Sequence, residues 1–201
     1  MELDREQQEV AQTAARMIVE DGLDYASARR KALQEHGEGG RRLRDGPSNE
    51  AIEDEVRAHI AIFHAETQPV ELRALREVAL RWMLRLAEFR PHLGGAVWRG
   101  TATRQSIVRI DLYCDDTKAP ELALLNRGIA YETVSEALGR GEHALTLVLA
   151  ERNAALGDWV TIHLNVLDFD DQRGALKPDA RGQTWRGDAA ALQKLLEGHS
   201  Q

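Results

Sequence analysis

The spacing of apolar residues changes character near residue 93. Up to that point apolar side chains recur every three or four positions, the period of an amphipathic helix; beyond it they alternate in twos, the period of a strand. Val10, Ala14, Met17 and Ile18 mark a first helix that Asp4 can cap and that stops near Glu20-Asp21-Gly22. A second, short helix starts at Asp24, carries Tyr25, Ala28, Ala32 and Leu33 on one side and ends at His36-Gly37. Ser48 caps a third with Ile52, Val56, Ile60 and Phe63 in one stripe, and Glu53, Asp54 and Glu55 near its start suit the helix dipole. Pro69 marks a break. From Val70 to about Phe89 a fourth helix sets Leu72, Leu75, Val78, Ala79, Trp82, Met83 and Leu86 against Arg73, Arg76, Arg81 and Arg85, a face broad enough to pack on a sheet, and Pro91 ends it.

In the second part, Gly94–Trp98 reads as a short apolar strand, and Ile107–Tyr113 alternates. Lys118–Asn126, with Leu122, Leu124 and Leu125, predicts a helix stopped at Gly128. Strands are expected at Ala130–Val134 and Ala144–Ala150. The clearest is Trp159–Leu167, where Val160, Ile162, Leu164 and Val166 share one face and Thr161, His163 and Asn165 the other. Residues 168–186 read as a loop rich in charge and glycine, before a terminal helix capped by Asp188 and carrying Ala191, Leu192, Leu195 and Leu196. The order of elements predicts an α+β fold: an N-terminal helical segment, residues 1–68, with a linker near 37–47, then an α+β domain over 69–201 with a mixed sheet and flanking helices.

At 201 residues the chain can bury a substantial core without staples. The single cysteine, Cys114, excludes an internal disulfide and sits in an apolar alternation, which fits a core thiol in a reduced, cytoplasmic protein. No apolar run approaches the roughly 20 residues that cross a bilayer, and the acidic start Met1-Glu2-Leu3-Asp4-Arg5-Glu6 has no hydrophobic segment behind it, so neither insertion nor secretion is expected. The net charge of −7 is concentrated: residues 1–68 hold 9 Lys/Arg against 15 Asp/Glu, and the remainder 17 against 18. A near-neutral second part argues against capture of duplex nucleic acid, which needs a basic surface. The arginines between Gly37 and Pro47 are either part of a solvated linker or a contact for phosphates.

The candidate chemistry is concentrated between Leu93 and Asp116. Gly94 and Gly95 allow backbone N–H groups to approach an anion, and Arg99, Thr101, Thr103, Arg104 and Ser106 add forks and hydroxyls that match phosphate oxygens. A polar connection between elements is the alternative. On the next strand Val108, Ile110, Leu112 and Cys114 share one face, and Ile107, Arg109, Asp111, Tyr113 and Asp115 the other. Asp115 lies roughly 13 Å beyond Asp111 at about 3.3 Å per residue, too far to share one metal ion with it. Arg109, about 7 Å from Asp111 along that face, can offset its charge. Asp168, Asp170 and Asp171 end the last long strand, as cation ligands or as a turn; His163 and Asn165 are pocket candidates. Arg173, Lys177, Arg181 and Arg186 can add a second basic contribution from the late loop. No Gly-Lys-Ser/Thr phosphate loop, spaced Gly-x-Gly-x-x-Gly or Cys/His zinc spacing occurs, and His59 and His64 lie about 140° apart on a helical wheel.

Helix, Gly94-Gly95 turn, spacer and alternating strand over residues 70–170 together resemble the core of the nucleotidyltransferase fold of polymerase-β-like enzymes. Gly94–Asp116 with Gly174-Ala175-Leu176-Lys177-Pro178-Asp179 is more narrowly similar to bacterial proteins labelled nucleotidyltransferase-like. The resemblance implies a glycine turn that holds a nucleotide triphosphate, then two strand carboxylates one residue apart that bind Mg²⁺ for nucleotidyl transfer, with a third carboxylate from a later strand. Matching the glycines puts the expected pair at or near Ile107 and Arg109, neither of which binds a cation. Two classes of function follow: a degenerate member that binds a nucleotide or phosphorylated ligand at Gly94, Gly95, Arg99, Thr101, Thr103, Arg104, Ser106, Arg109 and His163, or an active Mg²⁺-dependent nucleotidyltransferase using Asp111 as catalytic carboxylate with Asp115 or Asp168 as further metal ligands. A third is an interaction module whose acidic helices bind a partner protein.

Overall fold

The computed structural model describes residues 5–36, 46–139, 142–174, 176–179 and 181–198, with backbone alone for 135–139 and 142–144. The Asp4 cap and the arginines at 41, 42 and 44 lie outside the described residues. The chain is α+β, and it separates into two compact units: Met1–Val70 with Thr101–Ser106, and Glu71–Gly100 with Ile107–Gln201.

In the first unit, α1 (Arg5–Asp21) packs against α2 (Tyr25–Glu35) and α3 (Asn49–Phe63). Their shared core is built from Val10, Ala14, Ile18, Ala28, Ile52 and Val56, and its alanines let the helix backbones approach closely. Asp24 accepts from the amides of Ala26 and Ser27, and Ser48 from that of Ala51, the capping expected of those residue types. Gly22 is left-handed at φ 69°, and a Cβ there would stand 2.4 Å from the carbonyl oxygen of Gln105. That close approach lets residues 101–106 lie against the helices, where Thr103 Oγ1 donates to Val19 O at 3.0 Å and Gln68 Nε2 to Ala102 O at 2.9 Å. His64 caps α3 outside the helical wheel, so its ring approaches that of His59 to 6.0 Å despite the wheel angle.

The second unit is organised by a six-stranded mixed sheet with order β3-β4-β5-β2-β1-β6. The strands are β1 (His92–Gly94), β2 (Val108–Cys114), β3 (Glu132–Gly139), β4 (Glu142–Asn153), β5 (Asp158–Asp168) and β6 (Arg186–Gly187). Among the described strands only β2 and β5 run parallel, because the chain between them passes through α6 (Ala119–Asn126) and the β3–β4 hairpin before returning. Val108, Ile110 and Leu112 of β2 and Ile162 and Leu164 of β5 are fully enclosed, as their position at the middle of the sheet requires. On α4 (Gln68–Arg85) the residues Leu75, Val78, Ala79 and Met83 are equally enclosed. The terminal helix α7 (Ala189–Gly198) is capped by Asp188, which accepts from the Ala191 amide at 2.8 Å.

Three expectations are corrected. Pro69 does not break the helix but sits in its first turn, where its missing N–H costs nothing; the break is the turn at His64–Thr67. The same helix ends at Arg85 rather than Phe89, and a 3₁₀ turn, Ala87–Phe89, leads to Arg90 at φ 47°. Gly94–Trp98 is not a strand: β1 stops at Gly94 and Gly95–Arg99 forms the short helix α5. Five apolar residues are too few for periodicity to separate the two states, and tertiary hydrogen bonds decide. Arg76 of α4, 6 % exposed, donates through Nε to Val97 O at 3.1 Å and through a terminal nitrogen to Trp98 O at 3.2 Å, supplying partners for the last carbonyls of α5. The strands expected at 130–134 and 144–150 extend to β3 and β4 because each completes the other's ladder.

Candidate functional site

In-register pairing lines up one row of polar residues across four strands. Thr146 of β4 pairs with Asn165 of β5, Asn165 with Asp111 of β2, and Asp111 with His92 of β1. Their side chains make a directional chain. Thr146 Oγ1 donates to Asn165 Oδ1 at 3.1 Å, which turns the Asn165 amide so that Nδ2 donates to Asp111 Oδ1 at 2.7 Å. The other oxygen of Asp111 accepts from Nε of Arg186, in the two-residue strand β6. Asp111 is 5 % exposed, so its charge is met almost entirely by these two donors. Burial works against the Arg186 cation, but the attraction of Asp111 outweighs it and holds the guanidinium pKa above its ordinary value.

Tyr113 and His92 close the row at one side. Their rings meet edge to face with centroids 5.3 Å apart. Burial, reinforced by Asp111, pushes the Tyr113 phenol up to about 12, so it is neutral at physiological pH. His92 Nδ1 lies 2.9 Å from the Arg90 carbonyl, which can only accept, so that nitrogen carries the proton.

At the other side stands the glycine turn. Gly94 pairs with Arg109, and Arg109 with His163 of β5, placing the next row one step toward the turn. A Cβ on Gly94 would touch Cγ of Arg186 at 3.4 Å, and one on Gly95, left-handed at φ 66°, would touch Cδ of Arg109 at 3.5 Å. The two glycines therefore make room for two arginine stems. Arg109, opposite Gly94, and Asp111, opposite His92, share one face of β2 as one cation and one carboxylate.

Other predicted residues are employed elsewhere. Arg99 is buried against Asp179 at 3.0 Å and stacks on Trp185 at 4.3 Å, which fastens the late loop to α5. Thr101, Thr103 and Ser106 are buried in the helical unit: Thr101 faces the Tyr25 hydroxyl at 3.4 Å, Thr103 bonds Val19, and Ser106 Oγ accepts from the Thr103 amide. Arg104 is exposed in the same segment. Asp115 is exposed past the end of β2. Asp168 caps the 3₁₀ turn Phe169–Gln172 through the Asp170 amide, and its parity places it on the opposite sheet face from Asp111. Among the described residues no group of three His, Cys, Asp or Glu side chains is arranged to hold a metal ion. With both oxygens of Asp111 occupied by donors, the residues present do not fit a two-Mg²⁺ centre.

The sequence marks Asn165 as a pocket candidate and Arg186 as one of four cations of the late loop, but their meeting at Asp111 depends on a parallel register and a distant two-residue strand. Thr146 and His92 gave no local signal at all. Comparison with known proteins places the chain in no family: no family model, curated protein or solved structure matches it. No helix among the described residues is long and apolar enough to cross a membrane.

Two carboxylates in this unit give a pH-dependence. Burial raises the Glu151 carboxyl, but hydrogen bonds from Arg81 and from Trp82 Nε1, the latter at 2.8 Å, outweigh it and hold its pKa below the ordinary value. The Gln183 amide, opposed by burial and aided by Arg181 and Arg99, does the same for Asp179. Both pKa values are lower in the folded state, so the unfolded chain takes up protons first as pH falls through about 4. The stabilisation is therefore complete above that range and lost below it. Unfolding midpoints measured from pH 6 to 3 are expected to fall steeply in the acid limb, and Glu151→Gln to flatten that fall; equal slopes would contradict the assignment.

Proposed function

We propose that this chain is a nucleotidyltransferase-like protein that binds a nucleotide or another phosphorylated ligand at the Gly94-Gly95 edge without transferring a nucleotidyl group. One observation carries the reading: Asp111, one row from the glycine turn, is paired with the Arg186 cation and hydrogen-bonded by Asn165, while Arg109 and Arg186 border the two glycines. A carboxylate held by a guanidinium and an amide is poorly placed to take a cation, and two arginine forks beside an exposed Gly95 favour phosphate oxygens. His163 lies in register with Arg109, one strand away.

Heat unfolding of the full chain with each of the four ribonucleoside triphosphates and with pyrophosphate, in EDTA or in excess Mg²⁺, tests this. Stabilisation is expected in EDTA, reaching about 2.7 kcal/mol at a hundredfold excess over Kd. Arg109→Ala should remove it, whereas Asp111→Asn, which deletes a negative charge from the site, should preserve or strengthen it. Stabilisation that requires Mg²⁺ and disappears in Asp111→Asn would establish the active alternative. No shift with any phosphate compound would overturn the proposal.

A further inference from the structure

A second feature of the sheet unit lies apart from the glycine turn. A cavity of about 390 Å³ opens where the end of α4 meets β1 and the start of α7. Met83, Ala87, Pro91 and Leu176 give it apolar walls, and Arg90, His92 and Gln172 a polar end. An adjoining cavity of about 540 Å³, lined by Phe169, Arg173 and Lys177, shares Gln172 and Leu176 with it. Volumes of this order suit small ligands, which typically fill about 300–1,000 Å³.

Arg90 sets the chemistry. It stands at φ 47°, the one non-glycine residue in the left-handed region among those described. Such strain persists only where surrounding structure imposes it, and it is common at ligand clamps. Here the imposed conformation aims the Arg90 carbonyl at His92 Nδ1 and lays the guanidinium over the Phe169 ring at 4.2 Å. Among the described residues no carboxylate is found in an ion pair with Arg90, so its N–H donors can meet an acceptor in the cavity that it lines. The acidic residue on the cavity wall, Asp188, already accepts the Ala191 amide in the α7 cap. The neighbouring cations Arg173 and Lys177 leave the surrounding charge favourable to an anion, with Arg173 also facing Asp170 at 3.5 Å. His92, buried and fixed by the Arg90 carbonyl and the Tyr113 ring, is a rigid wall.

We infer that this cavity binds a small organic carboxylate, with an aryl or short acyl body between Met83, Ala87, Pro91 and Leu176 and its carboxylate on the Arg90 guanidinium beside the Gln172 amide. The inference is independent of the nucleotide reading, since none of these residues belongs to the Gly94-Gly95 edge.

Calorimetric titration of the full chain with phenylacetate and hexanoate, and with the neutral phenylacetamide and hexanamide, tests it. At least one carboxylate should bind saturably and its amide at least tenfold more weakly. Arg90→Gly suits φ 47° better than arginine does, so the fold, checked by circular dichroism, should survive while carboxylate affinity drops at least tenfold. Ala87→Phe, which fills the apolar end, should abolish binding, and Arg109→Ala should leave it unchanged. Failure of both carboxylates to saturate, amides binding as well as acids, or unaltered affinity in Arg90→Gly would each overturn the inference.

Discussion

Gly187→Ala is expected to destabilise the sheet unit by about 3 kcal/mol, lowering its unfolding midpoint by roughly 6–12 °C. A Cβ on Gly187 would stand 2.0 Å from one carbon of the Trp98 ring and within 2.5 Å of two more, far inside any tolerable contact. The ring cannot simply swing away, because its Nε1 donates to Thr184 O at 2.9 Å and the adjacent Arg99 is locked to Asp179 and Trp185. Gly187 itself pairs with Leu93 at the edge of the sheet. Relief therefore requires β6 to leave the sheet, and Arg186, the preceding residue, leaves with it. The substitution should thus also free Asp111 from its guanidinium and reduce the stabilisation by nucleotide, a loss that a purely steric defect far from the site would not produce. Thermal denaturation followed by circular dichroism, with and without ATP in EDTA, measures both effects. An unchanged midpoint would mean that β6 does not pack on Trp98.

Arg76→Met ranks next, at about 2–4 kcal/mol. Burial lowers the Arg76 pKa, yet the residue earns its place by donating to two carbonyls that α5 cannot satisfy internally. Methionine keeps much of the stem volume and removes both donors, leaving Val97 O and Trp98 O without those partners inside the unit. Arg76→Lys should recover only part of the loss, because a single ammonium lacks the fork that spans two carbonyls. Because α5 begins at Gly95, loosening it should weaken phosphate binding as well. Urea unfolding of the three proteins gives the comparison, and equal stability of wild type and Arg76→Met would remove Arg76 from the account of how α5 forms.

Much of the secondary structure was legible along the chain because long elements declare themselves by period. The cap at Ser48, the start of the second helix at Asp24, which proves to be its N-cap, the alternation of Trp159–Leu167 and the α+β order all read directly. Short elements did not. Gly94–Trp98 reads as a strand by composition and becomes a helix because Arg76, 21 residues from Val97, supplies its carbonyl partners. Pro69 reads as a break and serves as a helix start, since only the preceding turn shows where the helix begins.

The candidate site divides in the same way. Local pattern gathered Gly94, Gly95, Arg99, Thr101, Thr103, Arg104, Ser106, Arg109 and Asp111 into one neighbourhood, and the fold sends Thr101, Thr103 and Ser106 into the helical unit instead. The same pattern also put Arg109 and Asp111 on one face of a strand, because alternation is a property of consecutive residues. What Asp111 does was decided elsewhere. Its partners come from β5, 54 residues away, and from β6, 75 residues away, and no local spacing encodes a parallel register or the seating of a two-residue strand. Sequence by itself determined which side chains could share a face; tertiary pairing determined that Asp111 faces an arginine and an amide, because a buried carboxylate is stabilised by whatever donors the fold brings within reach.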